Sequence, residues 1–492
     1  MQAHPILYQL NTRVYLTELS TKLSRNATLE DIPDAFIEQL AIRGVEILWL
    51  LSVWTTGPRS QQESRRNPDW LHEFSRVLGD LQADDIGGSG FAIADYQVAE
   101  HLGGPEALAS FRKRLAKHGM RLMLDFVPNH VGLDHAWAVS YPEYIVQGTE
   151  VLLAEQPQNY VRDSLTGRIF AHGRDPYFAG WSDTLQLDYS NSDLQEQMHK
   201  TLLNIASQCD AVRCDMAMLL TPRVFKRTWG RSIQSFWGPA IHRVKAQYPG
   251  FVFMAEVYWD MEWELQEEGF DYCYDKRLYD RLRDRDYLGV RNHLRADLAY
   301  QSKLARFMEN HDEPRAASTF RYAQHLPAAL VSYLSPGLKF FHHGQWEGAK
   351  IKVSPHLIRG PHEEPDTQIQ HWYRKLTDML KDPIFHQGDW ELLEVQRAWA
   401  DNWSSDCLIA WLWKEKSRNT SLPGRVVLCI ANMADHDAQG RIEIPEWLRS
   451  CSGHKWRNLW TETPFDMPAD QWDSGWWTLY AHGAQVFVVA NG

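Results

Sequence analysis

The chain lacks a basic surplus, a long apolar run and a useful density of cysteine. Lys and Arg number 51 against 63 Asp and Glu, a formal charge of −12. That balance argues against a nucleic-acid or anionic-membrane partner, because both are bound through clustered positive charge. No apolar stretch approaches the roughly 18 residues that read as a membrane-spanning helix. The N-terminal segment MQAHPILYQLNTRVYLTELS has no basic start, and polar residues interrupt its apolar ones. It does not read as a secretory leader, so the expected compartment is the cytoplasm. Six cysteines in 492 residues include no CxxC pair, which predicts free buried thiols rather than disulfides or a thiolate metal site.

What the chain has in quantity is tryptophan: 22 Trp, with 19 Tyr and 19 Phe. Such aromatic weight suits a large core or a protein that meets flat apolar ligand faces, sugars among them. Eleven of the indoles lie after residue 386, and there they are expected to fill a β-domain core and interface. Trp54, Trp181, Trp259 and Trp346 fall nearer the functional loops described next.

Short apolar runs alternate with helix-period segments. The strand candidates are Ile6–Gln9, Val45–Leu51, Arg121–Phe126, Ala211–Cys214, Phe251–Ala255, Phe270–Tyr274, Ala305–Met308 and Leu338–Phe341. Between them run amphipathic segments. In LEDIPDAFIEQLAIRG, Ile32, Phe36 and Leu40 share a face and Gly44 ends the helix. PEALASFRKRLAKHG and DTQIQHWYRKLTDMLKD follow the same rule. Parallel strands need helical crossovers, so this alternation predicts an α/β fold, a (β/α)₈ TIM barrel. An open doubly wound sheet is the alternative.

Two stretches break the pattern. Residues 134–186 are far longer than a usual βα loop and read as a small inserted domain after strand three. After residue 386 the helical period disappears. CLIAWLW, RVVLCIANM, GRIEIPEW, WWTLYA and AQVFVVANG suggest a C-terminal β-sandwich over 386–492. The barrel itself would then comprise 1–133 and 187–385.

Barrels carry their chemistry at the C-terminal ends of the strands. Strand three ends in DFVPNH, with Asp125, Asn129 and His130. Strand four ends in VRCDMAM, with Arg213 and Asp215. Strand five ends in MAEVYW, with Glu256, and strand seven in FMENHDEPR, with His311 and Asp312. Three carboxylates on neighbouring strand ends repel one another unless a function or a cation holds them. Glycoside cleavage supplies a reason, since it needs a proton donor and a carboxylate nucleophile or base. Arg213 lies two residues before Asp215, so on a strand both face one side and the guanidinium can keep Asp215 ionised.

The order DFVPNH, VRCDMAM, MAEVYW, FMENHD resembles the successive signature regions of the α-amylase family of retaining glycoside hydrolases and transglycosylases. TLQLDYSN and SPGLKFFHHGQWEG, the latter with Gln345 and Glu347, are similar to further family segments. The resemblance spans about residues 5–380. It implies Asp215 as nucleophile, Glu256 as general acid/base and Asp312 as transition-state stabiliser. It implies that Arg213, His130 and His311 contact the reacting sugar, that Phe91 stacks on it and that Asp125 helps order the site. Asn129 matches a position that often ligates a structural calcium; no cofactor is required. Tyr258 and Trp259 are placed to meet an acceptor sugar, and Trp181, Tyr177 and Phe178 could form a platform in the inserted domain.

Several positions depart from the family pattern. Asp215 is followed by Met216, Ala217, Met218 and Leu219, where many amylases have a small residue and then Lys-His. Phe91 replaces a frequent tyrosine, Gly88 a frequent acid and Val53 a frequent proline. Apolar Met218 and Leu219 on the acceptor side would exclude water. The expected activity is retaining hydrolysis of α-glucosidic bonds in an α-glucan or small glucoside. The alternatives are transglycosylation with the same residues and, remotely, a non-catalytic barrel that binds glucan or protein.

Overall fold

The structure is a computed structural model that describes residues 2–416, 424–449, 456–465 and 474–489. Eight parallel strands close into a barrel: β1 (Ile6–Asn11), β2 (Val45–Leu51), β3 (Arg121–Phe126), β4 (Ala211–Cys214), β5 (Val252–Ala255), β6 (Tyr272–Tyr274), β7 (Leu304–Arg306) and β8 (Leu338–His342). The ring closes where β1 pairs with both β2 and β8. The strands are short and buried on both faces, which is why they read as continuous apolar runs rather than as alternation. The (β/α)₈ expectation holds, and the open sheet is excluded by closure.

Helix boundaries differ in one informative place. The segment after residue 28 does not form a single helix: Leu29–Asp31 is one 3₁₀ turn, and the α-helix runs Asp34–Ile42. Pro33 stands at its N-cap, because proline suits a helix start and breaks a helix interior. Gly44 ends it with a φ of +82°.

Between β3 and β4 the chain leaves the barrel. His130–Gly132 pairs antiparallel with Thr184–Gln186, and this two-stranded stem carries an outer hairpin of Tyr160–Arg162 with Ile169–Ala171. Val146, Tyr160, Ile169 and Ala171 give the excursion a core of its own. After β8 and the helix Thr367–Leu380, a six-stranded and a three-stranded antiparallel sheet form the C-terminal part. The IPEW segment departs from its strand reading, since Glu446–Arg449 is helical. Trp411 and Trp413 anchor the larger sheet to the barrel by donating their indole N–H groups to Leu334 O at 3.1 and 2.7 Å. Among the described residues no helix is long and apolar enough to cross a membrane.

Candidate active site

Parallel register sets the site. Arg213 on β4 sits level with Asp125 on β3 and Met254 on β5. One residue beyond each strand, Asp215 and Glu256 therefore emerge side by side. A cleft of about 840 Å³ opens above them, lined by Asp215, Glu256, Asp312, Arg213, His130 and His311 among others.

Arg213 is the organising charge. It is 1% exposed. Its Nη1 meets Asp215 Oδ1 at 2.7 Å, and its Nη2 meets Glu256 Oε2 at 2.7 Å. Asp125 Oδ1 lies 3.7 Å from Nη1. Trp49, Phe91 and Tyr274 surround the guanidinium at 5.5, 5.1 and 5.9 Å from their ring centroids, an arrangement that suits cation–π attraction. One cation thus holds neighbouring carboxylates whose mutual repulsion would otherwise push them apart.

Glu256 is fully dressed with donors. Oε2 also accepts the Met216 N–H at 2.7 Å, and Oε1 accepts the Tyr258 hydroxyl at 2.8 Å. Burial pushes its carboxyl up to about 8; Arg213 opposes this, and Asp215 and Asp312 reinforce it. Desolvation, more than the neighbouring carboxylates, is therefore the main cause of the raised value.

Asp312 stays more open. Its side chain is 38% exposed, and His311 Nε2 lies 3.0 Å from its Oδ2. Asn310 Oδ1 shapes the loop by accepting the N–H groups of Asp312 and Glu313 at 2.8 and 2.9 Å. His311 is oriented from the opposite side by Gln9 Nε2, 2.9 Å from Nδ1. Burial pulls its imidazole down to about 4, and burial also lowers His130. Both rings are neutral at physiological pH and able to hydrogen-bond sugar hydroxyls. Phe91 stacks on His311 with centroids 5.3 Å apart.

Several expected residues are placed differently. Asp125, expected to help order the site, lies beneath the cleft and does not line it: Ser52 N donates to its Oδ2 at 3.1 Å, and burial raises its carboxyl to about 6. Tyr258 lines the cleft, but Trp259 does not. At a φ of +65° Trp259 turns outward and meets Tyr177 edge-on at 5.0 Å. Of the inserted aromatics only Trp181 reaches the cleft, where it packs 5.1 Å from His130; Tyr177 and Phe178 face solvent. Met218 and Leu219 are buried and do not line the cleft. Met216 takes a φ of +42°, the chain turns, and Ala217–Leu220 packs inward as a 3₁₀ turn. Met216 itself is the lining residue.

The surroundings of Asn129 do not fit a calcium ion. Its Oδ1 accepts Gln186 Nε2 at 3.1 Å, and its Nδ2 donates to Gln186 Oε1 at 3.2 Å. Gln186 Nε2 also faces Asn129 O at 2.8 Å and Leu187 O at 3.1 Å. An amide nitrogen occupies the middle of the oxygen set, whereas calcium takes six to eight oxygens, carboxylates prominent among them. Among the described residues no cluster of His, Cys, Asp or Glu could hold a metal.

Sequence reasoning missed four contributors. Gln9 comes from β1, Trp70 and His356 pack together at 4.5 Å on one wall, and Asp183 comes from the inserted segment. Asp183 is 2% exposed, its Oδ2 has no hydrogen-bond partner, and burial raises its carboxyl to about 7. Only Asp183 carried a readable signal, through its position two residues after Trp181 and just before the stem strand Thr184–Gln186.

A closed barrel with an excursion after β3 and paired carboxylates beyond β4 and β5 is an arrangement that known proteins share. The model of the alpha amylase catalytic domain matches residues 44–223. Alpha-amylase 3 of Dictyoglomus thermophilum is 22% identical over 302 residues, covering 56% of this chain and 57% of that protein. The chain thus spans little more than half the length of this curated relative. A maltogenic alpha-amylase of Thermotoga neapolitana superposes with a TM-score of 0.69 at 17% identity, covering 100% of this chain and 99% of that one. Trehalose-6-phosphate hydrolase of Bacillus licheniformis gives 0.67 at 13% identity, with 99% of each chain covered. The chain is thus similar over residues 44–223 to the alpha amylase catalytic domain, and it shares its fold with solved alpha-amylase structures.

Proposed function

We propose that this protein is a retaining glycoside hydrolase that cleaves α-glucosidic bonds in oligosaccharides. The observation that carries the reading is the Arg213 bridge to Asp215 and Glu256 at 2.7 Å each. A single guanidinium spans both carboxylates only when they lie close together, which suits the roughly 5 Å separation of a retaining pair. In this scheme Asp215 attacks the anomeric carbon while Glu256 protonates the departing glycosidic oxygen. The bond to the leaving sugar breaks and a covalent glycosyl ester forms on Asp215. Glu256, now ionised, takes a proton from water, which attacks the same carbon and releases Asp215. Asp312, with neutral His130 and His311 beside it, stabilises the oxocarbenium-like transition state and holds ring hydroxyls. The same reading divides the chain into a catalytic barrel (1–133 and 187–385), an inserted domain (134–186) and a C-terminal sandwich (386–492).

Transfer to a sugar hydroxyl is the second reading. Met216, Tyr258 and Trp181 on the cleft wall favour it, because apolar lining disfavours water relative to a sugar face. Maltooligosaccharides, sucrose and trehalose are the substrates to screen, with early products followed by proton NMR. A product released first as the α-anomer supports retention, and inversion contradicts it. New linkages formed at high acceptor concentration would move the assignment from hydrolase to transferase.

A further inference from the structure

Not all of the C-terminal indoles are core. Trp399, Trp403 and Trp476 are 48%, 62% and 39% exposed. They cluster in space. Trp399 stacks on Trp476 with centroids 5.8 Å apart and planes 26° apart, and Trp403 packs edge-on against His436 at 4.8 Å. Trp399 and Trp403 line a cleft of about 630 Å³ that shares no residue with the catalytic one. Exposed indoles grouped in this way are costly to keep in water, and such patches mark binding surfaces.

The floor of this cleft is polar and rigid. Asn402, 2% exposed, donates through Nδ2 to Gln439 O at 2.8 Å. Its Oδ1 accepts the Ser404 hydroxyl at 2.8 Å, and Ser404 Oγ in turn accepts the Gln439 N–H at 3.1 Å. These bonds tie the turn Trp403–Cys407 to the strand Ala438–Ile442, so the indoles stand on a fixed base. The carboxylates of Asp401 and Asp437 sit at the rim.

Indole faces set beside carboxylate and amide groups are the chemistry that receives a saccharide. The ring stacks on the apolar C–H face of a sugar, and the polar groups take its hydroxyls. An acidic rim disfavours phosphate-bearing ligands, and an apolar protein partner would take the two carboxylates out of water. We infer that the Trp399–Trp403 cleft is a second, non-catalytic binding site for an α-glucan chain. It rests on the α-glucoside reading for its choice of sugar, and it would hold a polymer on the enzyme while the barrel cleft acts on it.

The test uses the full chain carrying Asp215→Asn, so that nothing is consumed, run by affinity electrophoresis through gels containing amylopectin. Amylopectin is expected to retard this protein. Trp399→Ala or Trp403→Ala, added singly, should weaken the apparent affinity about tenfold or more, and Trp403→Phe should retain most of it. In the active enzyme the same variants should leave kcat/KM on maltotriose within about twofold. Absence of retardation, or retardation unchanged in both alanine variants, overturns the proposal. So does a sedimentation profile showing a dimer that Trp403→Ala dissociates, because the indoles would then be a self-association face. Failure of the catalytic reading is seen separately: the wild-type enzyme would turn over no α-glucoside, whatever the gels show.

Discussion

Met216 donates its main-chain N–H to Glu256 Oε2 at 2.7 Å while holding a φ of +42°. The residue after the proposed nucleophile thus binds the proposed acid/base. A left-handed backbone costs a residue with a Cβ roughly 1 kcal/mol relative to glycine. Met216→Gly should therefore be about 1 kcal/mol more stable than Met216→Ala in urea unfolding. Both variants keep the N–H donor, so their basic pH limbs should coincide.

Glu256 must carry a proton to act as the acid. Its native carboxyl sits near 8, above its ordinary 4.5, chiefly through burial. It therefore stays protonated through neutral pH and ionises as pH rises past about 8. The kcat/KM profile on a substrate with a poor leaving group should fall on its basic side near that value. Tyr258→Phe removes a donor that favours the ionised form, so the limb should move to higher pH.

Asp183 is a buried carboxyl whose Oδ2 has no hydrogen-bond partner. Burial lifts it from an ordinary 3.8 to about 7. Its proton is retained in the native state and lost in the unfolded state between those values, so this group lowers stability progressively as pH rises through that window. Asp183→Asn should be near neutral at pH 4 and stabilising by about 1–3 kcal/mol at pH 8, as measured by denaturant titration. The carboxyl also lines the catalytic cleft, and the same change should lower kcat/KM on maltose about tenfold through the lost hydroxyl contact.

Gln186 Nε2 sits among three oxygens beside Asn129. A chelator should leave the melting temperature unchanged, and added calcium should not raise it. Gln186→Ala removes the donor to Asn129 Oδ1 and should cost about 1–3 kcal/mol. A chelator-induced drop in melting temperature would contradict the fit described for this site.

The barrel was legible because each strand is a short apolar run and each functional group follows its strand within a few residues. Arg213, Asp215, Glu256 and Asp312 could be ordered on that local logic alone. Gln9, Trp70, His356 and Asp183 could not, since only the closed ring and the inserted stem bring residues so distant in sequence to one cleft. Trp259, Met218 and Leu219 were misplaced for a different reason. Left-handed turns at Met216 and Trp259 redirect the chain, and neither residue type announces a positive φ. The exposed C-terminal indoles were hidden by composition, which counts tryptophans without telling a core ring from a surface one.

The most direct test of the account is to trap the covalent intermediate. A 5-fluoro α-glucosyl fluoride should inactivate the enzyme with time, and mass spectrometry of a digest should find the sugar on the peptide containing Asp215. Label on Asp215, absent from the Asp215→Asn variant, is the predicted result. Label on another residue, or turnover of natural substrate with inverted anomeric configuration, would contradict it.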